Sequence, residues 1–201
     1  MSVLRFRGTI TGLGSSSGVR IVVGEWTESP YAAFADVMLA EPDGTRHLLA
    51  ASPEVAEFVG GTYRFDQVHV VPLELRHEGP VVRITAGDLV LRYRIGRRTP
   101  LGRALRLVPH RLATAAWWSR VTDPVARVAQ RGVRTRGSAR AGRVETYGAV
   151  DQHQITDLSG TWRGHDLGAL RDVTPDPGFG FGSTSARPSR TTLVTTVRDR
   201  E

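Results

Sequence analysis

The sequence predicts a mainly β protein: an antiparallel β-barrel or sandwich of about seven to nine strands, with helices at residues 100–130 packed on it. Three observations predict this fold class. Apolar and polar residues alternate through much of the first 95 residues, short turns rich in Gly, Pro and Ser separate the alternating runs, and the spacing changes to that of a helix after residue 99.

The N-terminal half contains seven candidate strands. In residues 3–10, Leu4, Phe6 and Ile10 share one face, with arginines and a threonine on the other, which is the period of a half-buried strand. Pro72 lacks the N–H that a central strand needs, so its strand is expected at an edge or with a bulge. The seven runs are residues 3–10, 19–26, 31–40, 45–50, 63–75, 81–86 and 88–95.

A hairpin is predicted around the turn Glu41-Pro42-Asp43-Gly44. Proline early and glycine last suit a type I turn that ends in a residue with positive φ. If the hairpin closes there, Asp36 and Met38 lie opposite Ala50 and Leu48, and Asp36 stands in the middle of an apolar patch.

The C-terminal half predicts helices, then a loop, then further strands. We expect one domain over residues 1–201, with a β-rich part at 1–96 and a helical insertion at 97–131. An Arg/Gly-rich loop with a further strand follows at 132–170, and a Gly/Pro-rich segment at 171–201 ends in a strand that closes the sheet. Residues 53–59 predict a short helical turn.

Composition excludes several kinds of chemistry. The 201 residues include no Cys, so disulfides, thiolate nucleophiles and thiolate metal sites are excluded. They include no Lys, so a lysine Schiff base is excluded as well. There is no apolar run of transmembrane length and no signal-peptide pattern, which predicts a cytoplasmic location. No histidine spacing predicts a metal site, and no motif predicts a cofactor.

Charge is segregated along the chain. Residues 92–143 hold fourteen arginines and one acid, Asp123, whereas residues 1–91 hold seven arginines and eleven acids. Such a region can bind an anionic partner, either nucleic acid or an anionic membrane surface. The alternative is that these arginines pair with carboxylates elsewhere in the fold.

Two residues of the hairpin are candidate ligand-binding residues. Asp36 as a buried carboxylate would have a raised pKa and could anchor a ligand or act as a general acid. Alternatively it hydrogen-bonds a backbone amide, pairs with an arginine or faces solvent. His47 is expected on the opposite, mainly apolar face of the hairpin, where a core histidine with satisfied hydrogen bonds is the simpler interpretation.

The leading functional hypothesis is a non-enzymatic binding module for a small, largely apolar ligand, because barrels of about eight strands can enclose one. Asp36 and His47 would be the polar groups near the ligand, with Arg134 and Arg136 at the mouth of its site. The alternatives are an anion- or nucleic-acid-binding protein acting through residues 92–143, and a barrel-type enzyme that uses Asp36 as acid or base.

Overall fold

The computed structural model describes residues 3–108, 136–138, 143–180 and 185–199. In this part of the chain there are thirteen β-strands and two helices. The strands form one curled, half-barrel sheet, and helix α1 lies on its outer face. In chain order the elements are β1 (Val3–Ser15), β2 (Arg20–Glu28), β3 (Phe34–Ala40), β4 (Arg46–Ala50), α1 (Pro53–Thr62), β5 (Gln67–Val70), β6 (Leu73–Glu78), β7 (Val81–Ala86), β8 (Leu89–Arg98), α2 (Pro100–Leu105), β9 (Arg136–Ser138), β10 (Arg143–Trp162), β11 (His165–Asp166), β12 (Leu170–Arg171) and β13 (Ser189–Asp199).

The strands follow one continuous path through the sheet. Its order is β5-β4-β3-β2-β1-β13-β10-β8-β7-β6, and β9, β11 and β12 pair outside this path. The C-terminal strand β13 lies between β1 and β10 and is antiparallel to both. The two edge strands, β5 and β6, follow each other in the chain, so the sheet curls until its ends are neighbours.

The mainly β class is confirmed, but the predicted number of seven to nine strands is too low. Three of the additional strands, β9, β11 and β12, have only two or three residues, which is too short for alternation to show in a sequence. The fourth arises because the predicted strand at 63–75 is two strands, with Pro72 between them. One pairing is also not antiparallel: β5 runs parallel to β4, because α1 carries the chain back across the sheet.

Strand β10 is much longer than the predicted strand at 143–149. Its pairing is shifted by irregularities at Ala149/Asp151, His153/Ile155 and Ile155/Asp157. Each such bulge changes which side chains face the core. The alternation of apolar and polar residues is therefore interrupted in the sequence although the strand continues.

The inner face of the curled sheet encloses the main hydrophobic core. The largest of its fully buried side chains is Tyr93, and aliphatic residues from both halves of the sheet fill the space around it. The core residues are Leu13, Val19, Ile21, Val23, Val37, Leu39, Leu49, Val82, Ile84, Ala86, Leu89, Leu91, Tyr93, Ile155, Leu158, Trp162 and Leu167. Among the described residues, the side chains of the inner face therefore pack against one another as a core.

Helix α1 covers the outer face of β3 and β4. Val55, Ala56 and Val59 of the helix pack on Leu48 and Ala50. Burial of this second apolar layer keeps the helix on the sheet.

The helical insertion predicted at 97–131 begins with α2, whose N-cap is Thr99. Residues 109–135 lie outside the described part of the chain. In the described part, no helix is long and apolar enough to cross a membrane.

Candidate functional site

The hairpin β3–β4 places Asp36 on the outer face of the sheet, beneath α1. Asp36 pairs with Ala50 and Met38 pairs with Leu48, the register expected from the turn at Glu41–Gly44. Because strand side chains alternate, Asp36 and Met38 point to the same face as Leu48 and Ala50. Asp36 thus lies in the apolar layer between the sheet and the helix, only 1% exposed.

A cleft lies in this layer, lined mainly by aromatic and aliphatic side chains. It has a cavity volume of about 30 Å³, room for one or two water molecules. Its lining residues come from β1, β2, β3, α1 and β13, with Tyr63 just after α1. They are Phe6, Ile10, Val22, Gly24, Trp26, Phe34, Asp36, Met38, Phe58, Val59, Thr62, Tyr63, Thr195 and Val197.

One oxygen of Asp36 is hydrogen-bonded and the other is not. Trp26 donates its indole N–H to Asp36 Oδ1 at 3.1 Å. Among the described residues, Asp36 Oδ2 has no hydrogen-bond partner, and neither has the buried hydroxyl of Thr195, which lines the same cleft. Buried polar atoms are usually paired, so two unpaired atoms in one cleft point to a ligand or to ordered water.

Gly24 makes room for the Asp36–Trp26 hydrogen bond. It pairs with Asp36 across β2 and β3, and a Cβ at this position would come within 2.8 Å of Trp26 Nε1 and closer still to Asp36 Oδ1. Any larger residue would therefore displace one of the two partners.

Burial raises the pKa of Asp36 to about 6, because the ionised carboxylate loses its hydration, and the hydrogen bond from Trp26 offsets this only in part. The carboxyl group of Asp36 therefore changes charge close to neutral pH, unlike an ordinary aspartic acid.

An open groove adjoins the cleft. Its volume is about 460 Å³, and Trp26 and Phe34 line both spaces, so the two spaces meet at these residues. The groove is otherwise lined by Glu25, Thr27, Tyr31, Ala33, Ala35, Ala51, Ser52, Val55, Leu73 and Leu75.

Glu25, the acid of the groove, is already paired. Its two oxygens lie 2.8 Å from His77 Nε2 and 2.9 Å from Arg190 Nη2. Burial raises the pKa of Glu25, but the hydrogen bonds and charges of His77 and Arg190 outweigh this and hold the pKa below its ordinary value. The negative charge of Glu25 is thus compensated by its two partners, unlike that of Asp36.

His47 lies on the opposite face of the hairpin from Asp36, so the two candidates do not share a site. It is fully buried, with its Nδ1 3.4 Å from His69 Nε2. Its Nε2 is 2.9 Å from Glu41 Oε1, at an angle outside hydrogen-bond geometry. Burial lowers the pKa of His47, and the nearby Glu41 carboxylate opposes this without cancelling it.

Glu41 joins His47 to the far side of the curled sheet. The indole of Trp162 and the guanidinium of Arg163 both donate to Glu41 Oε1, at 2.9 Å and 3.4 Å. In the described part of the chain, no group of three or more His, Asp or Glu side chains is arranged to hold a metal ion. The surroundings of His47 are therefore those of a structural network.

The two arginine candidates are Arg134 and Arg136. Arg134 lies outside the described residues, and Arg136 is the first residue of β9, which pairs with β10. Within the described part of the Arg-rich region, Arg92 pairs with Asp157 and Arg98 with Asp151. Arg92 and Arg98 therefore pair with carboxylates within the fold, as the alternative to binding an anionic partner predicts.

Sequence reasoning did not identify Trp26, Phe58 and Thr195 as cleft residues. Trp26 lies two positions after Gly24 and therefore on the same face of β2. This places Trp26 beside Asp36 only when the register of β2 and β3 is known. Nothing in the sequence relates Thr195 to Asp36, because β13 and β3 are brought to one cleft by the order of strands in the sheet.

The sequence matches no protein-family model and no curated protein. Among solved structures, the fold is similar to an acetoacetate decarboxylase from Legionella pneumophila, with 8% identity, a TM-score of 0.44, and coverage of 98% of this chain and 85% of that chain. It is also similar to a protein from Nitrosomonas europaea designated AttH, with 12% identity, a TM-score of 0.36, and coverage of 98% of this chain and 52% of that one. Similarity at this level carries no information about a shared ligand or reaction.

Proposed function

We propose that this protein is a non-enzymatic binding module for a small, largely apolar ligand, held in the cleft between α1 and the outer face of the sheet. The observation that carries the proposal is Asp36: a buried carboxyl group with one unpaired oxygen, in a space otherwise lined mainly by apolar and aromatic side chains. Ligand sites commonly combine an apolar lining with a few polar groups that fix orientation.

The adjoining groove supports the same function. A cavity of about 30 Å³ holds only the head of a ligand, whereas the groove of about 460 Å³ offers room for an apolar body next to it. Trp26 and Phe34 line both spaces and would contact both parts of the ligand.

The proposal is tested with hexan-1-ol, a slender neutral probe, followed by ¹H–¹⁵N NMR. We expect the largest chemical-shift changes at α1, β3 and β13, with little change at β7. No change, or changes centred elsewhere, would contradict the proposal.

A pair of variants at Thr195 sharpens the test. Thr195→Leu adds volume where the cavity is and should abolish the shift changes, whereas Thr195→Val keeps the shape and should retain most of them. If Thr195→Leu binds hexan-1-ol as the wild type does, the ligand lies elsewhere.

Binding of an anionic partner by residues 92–143 stays a prediction, since most of that region lies outside the described residues. It is distinguished by its salt dependence, because binding to nucleic acid weakens steeply as salt rises, whereas uptake of a neutral ligand does not. Use of Asp36 as an acid or base in catalysis likewise stays a prediction.

A further inference from the structure

In the part of the chain that the structure describes, the charged residues that line the two spaces beside Trp26 and Phe34 are acids. Asp36 is the charged residue that lines the cleft, and Glu25 is the one that lines the groove; among the described residues, no arginine or histidine lines either. The sequence has 27 basic residues and a net charge of +7. Because His77 and Arg190 pair with Glu25, the charge that remains here is that of Asp36, which is opposite in sign to the net charge of the protein.

Aromatic rings line the cleft that holds the carboxyl group of Asp36. The ring of Phe6 lies 5.7 Å from that of Trp26 and 4.9 Å from that of Phe58, and the rings of Trp26 and Phe34 are 6.3 Å apart, centroid to centroid. The faces of aromatic rings carry negative electrostatic potential and attract cations, most strongly when water is excluded.

These observations indicate which polar head group of a ligand the cleft can bind. A carboxylate or phosphate would be repelled by Asp36, and burying it without a cationic partner would be costly. A hydroxyl group could donate one hydrogen bond to Asp36 Oδ2. An ammonium group donates up to three, so it could donate to Asp36 Oδ2 while compensating the charge of the carboxylate.

From the charge of Asp36, the aromatic rings and the unpaired Oδ2 we infer that the ligand is a small apolar primary amine, bound with its ammonium group at Asp36. This inference rests on the function proposed above. The size of the cavity fits it, because a head of one or two non-hydrogen atoms fills about 30 Å³ whereas a quaternary ammonium group does not fit.

Asp36, and not Glu25, is the counter-ion of the amine. Both oxygens of Glu25 are held by His77 and Arg190, so its charge is already compensated. Asp36 Oδ1 is held by the neutral indole of Trp26, which leaves the charge of the carboxylate uncompensated. The amine reaches the buried Oδ2 when side chains around the cleft move, and Met38 and Phe58 are partly exposed side chains of its wall.

Binding of an amine depends on the ionisation of Asp36. Tyr63 is the other titratable residue in the lining. Glu25 lies on the opposite face of β2, and Glu54 and Glu57 of α1 are exposed. Protonation of Asp36, whose pKa is about 6, should therefore weaken amine binding about ten-fold between pH 8 and pH 5.

The experiment compares three probes with the same six-carbon chain: hexylamine, hexan-1-ol and hexanoate, measured by calorimetric titration at pH 8 and pH 5. We expect hexylamine to bind at least ten-fold more tightly than hexan-1-ol at pH 8 and to lose that advantage at pH 5. Hexanoate should not bind detectably at pH 8.

Asp36→Asn keeps the shape of the side chain and the acceptor for Trp26 but removes the charge. It should lose the preference for hexylamine over hexan-1-ol while still binding hexan-1-ol. Asp157→Asn makes the same change at an exposed acid on β10 and should bind hexylamine as the wild type does.

The possible outcomes separate the inference from the proposed function. If hexan-1-ol binds as tightly as hexylamine, or if Asp36→Asn keeps the preference for hexylamine, the inference is wrong and the binding function stands. If neither probe binds the wild type, both are wrong. Equal binding of hexylamine by Asp36→Asn and Asp157→Asn would show attraction to a carboxylate elsewhere and would also overturn the inference.

Discussion

Burial of the Asp36 carboxyl group lowers the stability of the native state near neutral pH. Its ionised form is disfavoured in the native state because burial removes hydration and Trp26 compensates only one oxygen. A hydrophobic residue or an asparagine would fill the same position without that penalty. Retention of a carboxyl group here is understandable if its charge serves binding, since sites of function commonly trade stability for chemistry.

The stability of the protein should therefore depend on pH through Asp36. The pKa of its carboxyl is about 6 in the fold, against 3.8 for the ordinary value, so the native state holds its proton more tightly than the unfolded state. Between pH 4 and pH 6 the native state binds more protons, and its stability falls as pH rises through this window. The total loss above pH 6 is about 3 kcal/mol.

Asp36→Asn removes this titration. We expect the variant to be more stable than the wild type at pH 7.5, by up to about 3 kcal/mol, and the difference to disappear near pH 3.5. Urea unfolding at a series of pH values measures both. Asp157→Asn serves as the control, and a difference between wild type and Asp36→Asn that did not change with pH would contradict the assignment.

At the scale of elements, α1 is held by its ends and by its buried face. Ser52 caps its N-terminus by accepting the N–H of Val55 at 3.3 Å, Pro53 occupies the first turn, and Glu54 places a negative charge there. Val55, Ala56 and Val59 then pack on the sheet. Since Phe58, Val59 and Thr62 of the same helix line the cleft, the seating of α1 determines the shape of the candidate site.

Gly24 in β2 and Gly60 in α1 should respond to the same substitution with changes of stability of opposite sign. Gly24→Ala in β2 would place a methyl group against Trp26 Nε1 and Asp36, and we expect a loss of about 1–3 kcal/mol. Gly60→Ala in α1 would meet only Val68 at 3.8 Å and Leu48 at 4.0 Å, ordinary contact distances. Because alanine restricts the unfolded chain and favours helix, we expect a gain of about 0.5–1 kcal/mol.

Thermal and urea unfolding of the two variants provide the measurement, with each serving as the control for the other. Destabilisation by both, to a similar extent, would mean that the space around Gly60 is tighter than the structure shows. A neutral Gly24→Ala would mean that Trp26 and Asp36 can separate without loss.

At the scale of the whole molecule, polar contacts hold the curled sheet closed at two places where no backbone ladder does so. Glu25 of β2 pairs with His77 of β6, an edge strand six positions away in the sheet. Glu41, between β3 and β4, accepts from Trp162 and Arg163 at the end of β10, and Arg163 also donates to Gln67 of β5. These contacts therefore join strands that are not neighbours in the sheet order.

Loss of the contact at Glu41 should destabilise the whole protein. Glu41→Ala leaves the buried indole N–H of Trp162 without its acceptor, for which we expect a loss of about 1–3 kcal/mol in urea unfolding. Glu78→Ala removes an exposed partner of Arg83 and should change stability by less than about 0.5 kcal/mol. Equal effects of the two substitutions would contradict a role for Glu41 in closing the sheet.

Local patterns in the sequence were sufficient for the strand-rich class, the turn at Glu41–Gly44 and the register that buries Asp36. Each of these depends on residues a few positions apart, where alternation and turn chemistry act directly. The same patterns failed for β10, because its bulges interrupt the alternation, and for the parallel pairing of β5, because α1 reverses the chain direction.

The sequence by itself determined that a carboxyl group would stand in an apolar layer of the β3–β4 hairpin. Only the tertiary structure decided what lines the cleft around it: the indole of Trp26, the hydroxyl of Thr195 and the ring of Phe58 come from segments far apart in the chain. It also decided that the main hydrophobic core lies on the enclosed side of the sheet and the cleft on the outer side. The physical reason is that alternation specifies which face a side chain takes, whereas the neighbours across a cleft depend on the order of strands and the curl of the sheet.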